Sequence, residues 1–337
     1  MGNFITEANA QRKWYAKIAS FVSFGQYKLG TNNGNILVQD RASGEILEER
    51  MPTYIKLGIR VLYRVSKTPA ENKRVKKMLY AMSAKQGQKY TDPSSRREIQ
   101  PFINFHRLNE EEILEPIDSF PNFNEFFYRK LKPGARYLGS PDPRVAVSPA
   151  DSRVMVFPTI SAAQELWIKG HRFTIGRLFN NLLPPEEVAA YEAGSLAIFR
   201  LAPQDYHRFH IPVDGILSSP TNIDGQYYTV NPMAIRSSLD VYGENKRCFS
   251  FIDSTHHGRV AIVCIGAMLV GSIILTSTPG SYISRLDEHG YFAFGGSTIL
   301  VLFQENTITF DKDLVKNSEK KLETLLRVGN TIGTTKT

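Results

Sequence analysis

The sequence predicts an α+β protein: a helical, basic N-terminal part packed on a predominantly antiparallel β domain. Three observations carry this. From about residue 145 to about residue 310, short runs of Val, Ile, Phe and Tyr alternate with turns built on Gly, Pro, Asn and Asp, as successive short strands require. Before residue 100 the apolar residues recur at helical spacing instead, with Ile55, Ile59, Leu62 and Val65 on one face of 53–66 and Val75, Met78, Leu79 and Met82 on one face of 69–85. The apolar runs Val260–Leu275 and Ile299–Phe303 are rich in β-branched residues and bounded or broken by glycine, as buried strands are.

The elements follow in order. Residues 11–24 set Arg12, Lys13 and Lys17 beside Trp14, Tyr15, Ile18, Phe21 and Phe24, an amphipathic pattern that suits either a bilayer interface or packing on the domain itself. Asn35–Gln39 and Glu45–Glu49 flank Ala42-Ser43-Gly44 and read as a hairpin. The two helical segments follow, the second edged by Arg74, Lys76 and Lys77, which form a solvated face or a membrane-facing basic one. The polar stretch 86–100, with Asp92-Pro93-Ser94-Ser95 and Arg96-Arg97, reads as a loop and as the boundary between region 1–100 and domain 101–337. Phe123–Leu131 reads as a short helix stopped by Pro133-Gly134, and Leu314–Val328 as a closing helix.

Composition bounds the function. The 337 residues, 42% apolar and 22% charged, supply a sizeable core for one large domain or two. A formal net charge of +8 favours an anionic partner: nucleic acid, an anionic bilayer or an acidic substrate. The two cysteines, Cys248 and Cys264, have neither metal spacing nor a disulfide framework. Met1–Ala10 is polar and lacks the apolar core of a signal peptide. Val260–Leu275 is short for a membrane span and broken by Gly266 and Gly271, so it reads as two strands with a glycine bend.

Four clusters hold chemistry-bearing residues. Asp151 lies in the turn Pro149-Ala150-Asp151-Ser152-Arg153, where an aspartate ordinarily bonds its own backbone. His207 and His210 lie in Leu201–Pro212, with no third ligand in range for a metal. Tyr227–Arg236 and Tyr242–Asn245 read alone as a strand, a proline turn and surface polar residues. Gly295-Gly296-Ser297 reads alone as a β-turn, yet it sets a hydroxyl at a tight bend before a core strand, within reach of the Gly296 carbonyl. An acid, a histidine and a serine are the parts of a catalytic triad, although the Gly-x-Ser-x-Gly elbow of an α/β-hydrolase is absent.

Here a resemblance becomes specific. Asn124-Glu125-Phe126-Phe127, Pro149-Ala150-Asp151, Ala202–His210, Val230-Asn231-Pro232-Met233-Ala234, Gly243-Glu244-Asn245, Gly266–Ser272 and Phe294-Gly295-Gly296-Ser297-Thr298 resemble, in wording and in order, the motifs of phosphatidylserine decarboxylase proenzymes. The wording at Asp151-Ser152-Arg153, Gln204–His210 and Gly295–Thr298 is most similar to the type II subfamily. The match covers nearly all of residues 100 to 330.

The resemblance implies a self-cleaving proenzyme. Asp151, His210 and Ser297 would form the triad, with His210 taking the proton of Ser297 and Asp151 fixing the tautomer of His210. Ser297 would attack the Gly296 carbonyl, and the chain would part between Gly296 and Ser297. The new terminus at Ser297 would become a pyruvoyl group, the cofactor with which a substrate amine forms a Schiff base. His207 would return a proton to the substrate α-carbon. The product from phosphatidylserine would be phosphatidylethanolamine and carbon dioxide, with no metal. The implied setting is the anionic, cytosolic surface of a membrane, without nucleic acid, with the two cleaved chains held together and a homodimer allowed. Ser152 stands where many members of the wider family have Gly, and no further calcium-binding lipid module accompanies the motifs, so membrane contact would fall to the basic N-terminal helices. Two other readings stay open: a decarboxylase of a soluble amino acid, and a membrane-binding relative without catalysis.

Overall fold

Alternation of apolar side chains between two faces organises the molecule. This computed structural model describes residues 36–49, 81, 87–168, 173–237, 239–267, 272–293 and 295–336. The segments 11–24 and 53–66, and all of 69–85 except Ala81, lie outside the described residues.

The strands are β1 Leu37–Asp40, β2 Ile46–Glu48, β3 Val145–Val147, β4 Ser152–Phe157, β5 Ser195–Leu201, β6 Arg208–His210, β7 Gly215–Leu217, β8 Thr221–Ile223, β9 Arg247–Ser254, β10 Gly258–Gly266, β11 Ser272–Leu275, β12 Tyr282–Ile283, β13 Glu288–Ala293, β14 Ser297–Phe303, β15 Thr309–Phe310, β16 Glu323–Leu326 and β17 Thr331–Thr334. The helices are α1 Ile99–His106, α2 Phe123–Phe127, α3 Ile160–Leu166, α4 Ile175–Leu178, α5 Pro185–Glu192, α6 Pro232–Ile235, α7 Val241–Glu244 and α8 Lys312–Glu319. The large sheet runs β12-β7-β9-β10-β14-β5-β4-β16-β1-β2, with β8 also paired to β9. Among the described residues its parallel pair is β1 with β16. Two smaller sheets run β11-β13-β6 and β15-β17-β3. The fold is thus α+β and mostly antiparallel, as expected.

β14 lies between β10 and β5 and is buried along its whole length. Ile299, Val301 and Phe303 enter one core with Val260, Ile262, Ala197 and Phe199. Leu300 and Leu302 enter a second core with Ala261, Val263, Leu196 and Ile198. A strand covered on both faces needs apolar residues at every position, which is why Ile299–Phe303 reads as an unbroken run. A third, aromatic cluster joins Ile99 and Ile103 of α1 to Phe120, Phe123, Phe126 and Phe127.

The hairpin expected at 35–49 is present as β1–β2, and Val260–Leu275 takes in most of β10 and all of β11. These two strands belong to different sheets, and β11 is only partly buried. Two expectations are corrected. The stretch 86–100 is not a loop: residues 87–91 are helical, Pro93–Glu98 forms a 3-10 turn and α1 follows. Asp92 caps that turn by accepting the Ser94 N–H at 2.8 Å, Pro93 opens it, and the Ser95 hydroxyl accepts the Phe123 N–H at 2.9 Å. The second correction is the closing helix, which ends at Glu319. Lys321 adopts a left-handed φ of 58° and Glu323–Leu326 turns into β16. Of the leucines read as a helical face, Leu325 and Leu326 instead pair in β16 with Arg153 and Ser152 of β4.

Candidate active site

The described ends of β5, β10, β13 and β14 converge on Ser297. The chain leaves β13 at Ala293, and Gly295 takes a φ of 117°, which L side chains avoid. Ser297 then opens β14, opposite Leu201 of β5 and Gly266 of β10. Two of the sequence motifs act as supports here. The Asn245 side chain accepts the Tyr228 N–H at 2.9 Å and donates to the carbonyls of Tyr228 at 2.8 Å and Gly266 at 3.0 Å, so it pins the strand end that faces Ser297. Gly243 lets α7 close on its cap, because a Cβ there would lie 2.4 Å from Asp240 Oδ2. Val230 packs beside Gly296, 3.7 Å from where a Cβ would project.

Ser297 is fully buried and its Oγ has no hydrogen-bond partner; the same holds for Thr298 Oγ1. His207, also fully buried, donates from Nδ1 to the Asp205 carbonyl at 2.9 Å, while its Nε2 has no partner. Its ring lies 3.9 Å from that of Phe127, and its carbonyl accepts the Phe292 N–H at 3.0 Å, which ties it to the end of β13. Burial pushes the imidazole down to about 3, although the Asp205 and Gly295 backbones oppose this, so at neutral pH Nε2 carries a lone pair.

His210 sits at the end of β6. Its Nδ1–H donates to the Leu286 carbonyl at 2.6 Å, and its Nε2 accepts the Tyr206 hydroxyl at 3.2 Å. Leu286 has a φ of 74°, a strained conformation for leucine that aims its carbonyl at the ring. Burial lowers the His210 pKa, offset in part by that carbonyl and by the charges of Glu288 and Asp151. Asp151 bonds elsewhere. Arg136 grips its carboxylate through Nε, at 2.8 and 3.1 Å, and through Nη2, and the Val328 N–H donates to it at 2.9 Å. The structure therefore brings Asp151 into the electrostatic surroundings of His210 without a hydrogen bond between them. The Ser297 Oγ bonds neither histidine. Ser152 starts β4 with its hydroxyl on the Ala150 carbonyl at 3.2 Å, which closes the turn before Asp151's neighbours enter the sheet.

Buried charges frame this cluster. Arg153 pairs with Asp205, whose carboxylate also accepts the Ala202 N–H at 2.7 Å. Arg200 lies between Glu323, at 2.8 and 2.6 Å, and Glu49, at 2.6 and 3.2 Å. Sequence reasoning missed Arg136, Tyr206 and Leu286. Arg136 lies outside the motifs, Tyr206 lies inside the Ala202–His210 motif without being singled out, and Leu286 acts through its backbone, which leaves no side-chain signal.

Among the described residues no helix is long and apolar enough to cross a membrane. The family model for phosphatidylserine decarboxylase matches residues 123–334. The chain is 49% identical over 335 residues to phosphatidylserine decarboxylase proenzyme 3 of Schizosaccharomyces pombe, an alignment that covers 99% of this chain and 34% of that protein. It is 47% identical to proenzyme 2 of Saccharomyces cerevisiae over 99% of this chain and 29% of that one. With the phosphatidylserine decarboxylase proenzyme of Chlamydia muridarum it shares 45% identity over 71% of this chain and 78% of the bacterial protein. The chain thus spans about a third of the length of the fungal relatives and most of the bacterial one. With the motifs, the fold and these matches in agreement, the chain belongs to the phosphatidylserine decarboxylase family.

Proposed function

We propose that this chain is a self-processing, pyruvoyl-dependent decarboxylase that converts phosphatidylserine to phosphatidylethanolamine and carbon dioxide. The observation that carries the reading is the Ser297 hydroxyl: it is buried and unpartnered, follows two glycines, and lies in a chain of this family. An orphaned buried hydroxyl beside a backbone carbonyl, with the unpartnered Nε2 of His207 in the same cluster, fits the origin of a pyruvoyl group. Ser297 Oγ attacks the Gly296 carbonyl carbon, the peptide C–N bond breaks, and the freed amine takes the proton, leaving an ester. Loss of the Ser297 α-proton with cleavage of its Cβ–Oγ bond releases Gly296 as a carboxylate. Water then replaces the amine, which leaves as ammonia, and residue 297 ends as a pyruvoyl carbonyl.

His210 is the base proposed for Ser297. Its Leu286-fixed tautomer leaves Nε2 as acceptor, and release of the Tyr206 hydroxyl frees that nitrogen. Asp151 acts on it through charge. His207, held neutral by burial, is the group proposed to return a proton to the substrate. When formed, the pyruvoyl group supplies the electron sink for loss of carbon dioxide. Two features support lasting association of the cleaved chains: β14 and β16 lie inside a sheet built otherwise from residues before the cut, and Glu323 pairs with Arg200. The basic surplus of the sequence supports a peripheral site on the cytosolic face of an anionic membrane, with region 1–100 facing the lipid and domain 101–337 carrying the chemistry.

A denaturing gel and intact mass spectrometry test this. Wild type is expected as two chains, the shorter one beginning at residue 297 and lighter than a serine terminus requires. Ser297→Ala and His210→Ala are expected as one chain, and liposomal phosphatidylserine as the substrate turned over in preference to free amino acids. Cleavage of Ser297→Ala at the same bond would remove the nucleophile from its role.

A further inference from the structure

Among the described buried arginines, Arg129 is the least satisfied, with two unpartnered nitrogens where Arg153 has one. Arg200 makes four hydrogen bonds to two carboxylates, Arg247 three to carbonyls, and Arg136 holds Asp151 and Glu112. Arg129, only 6% exposed, makes one long hydrogen bond, from Nη2 to the Gln204 carbonyl at 3.4 Å. Its Nε and Nη1 have no partner. The guanidinium lies over the Phe126 ring at 4.9 Å, two positions along the chain from Phe127, whose ring meets His207. The nearby acids are committed elsewhere: Asp205 to Arg153 and the Ala202 N–H, Asp151 to Arg136 and the Val328 N–H. Leaving a buried cation with unpaired N–H groups is costly, and an anionic oxygen acceptor such as a carboxylate would satisfy them.

The geometry points to Arg129 as a carboxylate receptor that acts once the chain is cut. Resting on the function proposed above, two carboxylates arise at this place: the one that cleavage leaves on Gly296, and the one on a serine headgroup. Both present the same planar anion, and neither exists at the site in the uncut chain without substrate. Phe127, two residues before Arg129, packs on the His207 ring at 3.9 Å, and the His207 carbonyl holds the Phe292 N–H at the end of β13, so the guanidinium belongs to the cluster that leads into the scissile segment.

The test introduces Arg129→Met and Arg129→Lys into the full chain, in the wild-type and Ser297→Ala backgrounds, and reads cleavage, Tm and the KM for phosphatidylserine in liposomes. Both variants are expected to cleave. In the uncut Ser297→Ala background, Arg129→Met is expected to leave Tm unchanged or raised, because it removes an unpaired charge. A Tm drop confined to the cleaved protein assigns Gly296 as the ligand. An unchanged Tm with KM raised on the order of tenfold, and partial rescue by Lys, assigns the headgroup. An equal Tm loss in both backgrounds with KM unchanged overturns the proposal, as does a block of cleavage in both variants. Wild type that stays uncut is a separate failure, that of the proposed function.

Discussion

Strand β14 contains two kinds of interior within seven residues. From Ile299 to Phe303 every side chain is apolar, alternates between two cores and leaves nothing unsatisfied. At Ser297 and Thr298 the burial is equally complete, but both hydroxyls lack partners. An unpartnered buried hydroxyl costs about 1–3 kcal/mol. The strand tolerates two of them at one end because β10 and β5 hold it in register along both edges. Stability sits in the second part and reactivity in the first, and they share one backbone.

If that division is right, the largest effects on stability come from the apolar part. Phe303 is fully buried against Phe310 and His257. Phe303→Ala is expected to lower unfolding stability by about 4 kcal/mol, read from urea midpoints in the uncut Ser297→Ala background. A loss below about 1 kcal/mol would mean that the far end of β14 is not the anchor. Next comes the buried ion network beside the site. Glu323→Gln leaves Arg200 with Glu49 alone and is expected to cost about 3 kcal/mol by the same measurement, the low end for a broken buried pair. In cleaved protein the same change should loosen the short chain in a dissociation assay, since Glu323 belongs to it.

Acid should act mainly around the site and the core that Phe303 enters, where His257 packs on Phe303 and His289 on Phe209. Burial lowers His207 to about 3 and His257 and His289 to about 4, against an ordinary 6.5. Each ring is neutral when folded and binds a proton when unfolded, so between those limits the unfolded chain holds more protons. Stability is therefore at its full value above about pH 6.5 and falls as the pH drops toward 4. Tm measured from pH 7 to pH 4 should show the decline, and His289→Asn should make it shallower. A Tm that rises on acidification would contradict the buried, neutral state of these rings.

How much of this was legible in sequence follows from the range of the interactions. The buried run of β14, the β1–β2 hairpin and the start of the helix at Phe123 are local, and their residue patterns state them, although that helix ends at Phe127 rather than running to Leu131. The strand β16 and the helical character of 87–100 escape the sequence, because polar surface chemistry and leucine spacing fit a loop and a helix until the neighbouring β4 and the Phe123 cluster are in place. Within the site, Ser297 and its glycines announced themselves. The partners of Asp151 did not: the Val328 N–H lies 177 positions away and any residue could supply it. Leu286 contributes a carbonyl through a backbone conformation that leucine seldom adopts, so its identity carries no sign of its use.

The smallest expected effect separates the two parts of β14 most cleanly. Thr298 adjoins the reacting serine but faces the opposite side of the sheet, and its Oγ1 is buried without a partner. Thr298→Val keeps the β-branch and exchanges the hydroxyl for a methyl. If the unpaired hydroxyl is a burden carried only because it borders the site, the variant gains about 1 kcal/mol in urea unfolding, and processing on a denaturing gel proceeds as in wild type. If processing slows while stability rises, the hydroxyl belongs to the chemistry, and the boundary between the two parts lies between Thr298 and Ile299. If stability falls, Thr298 is part of the packed interior, and the division collapses to Ser297 alone.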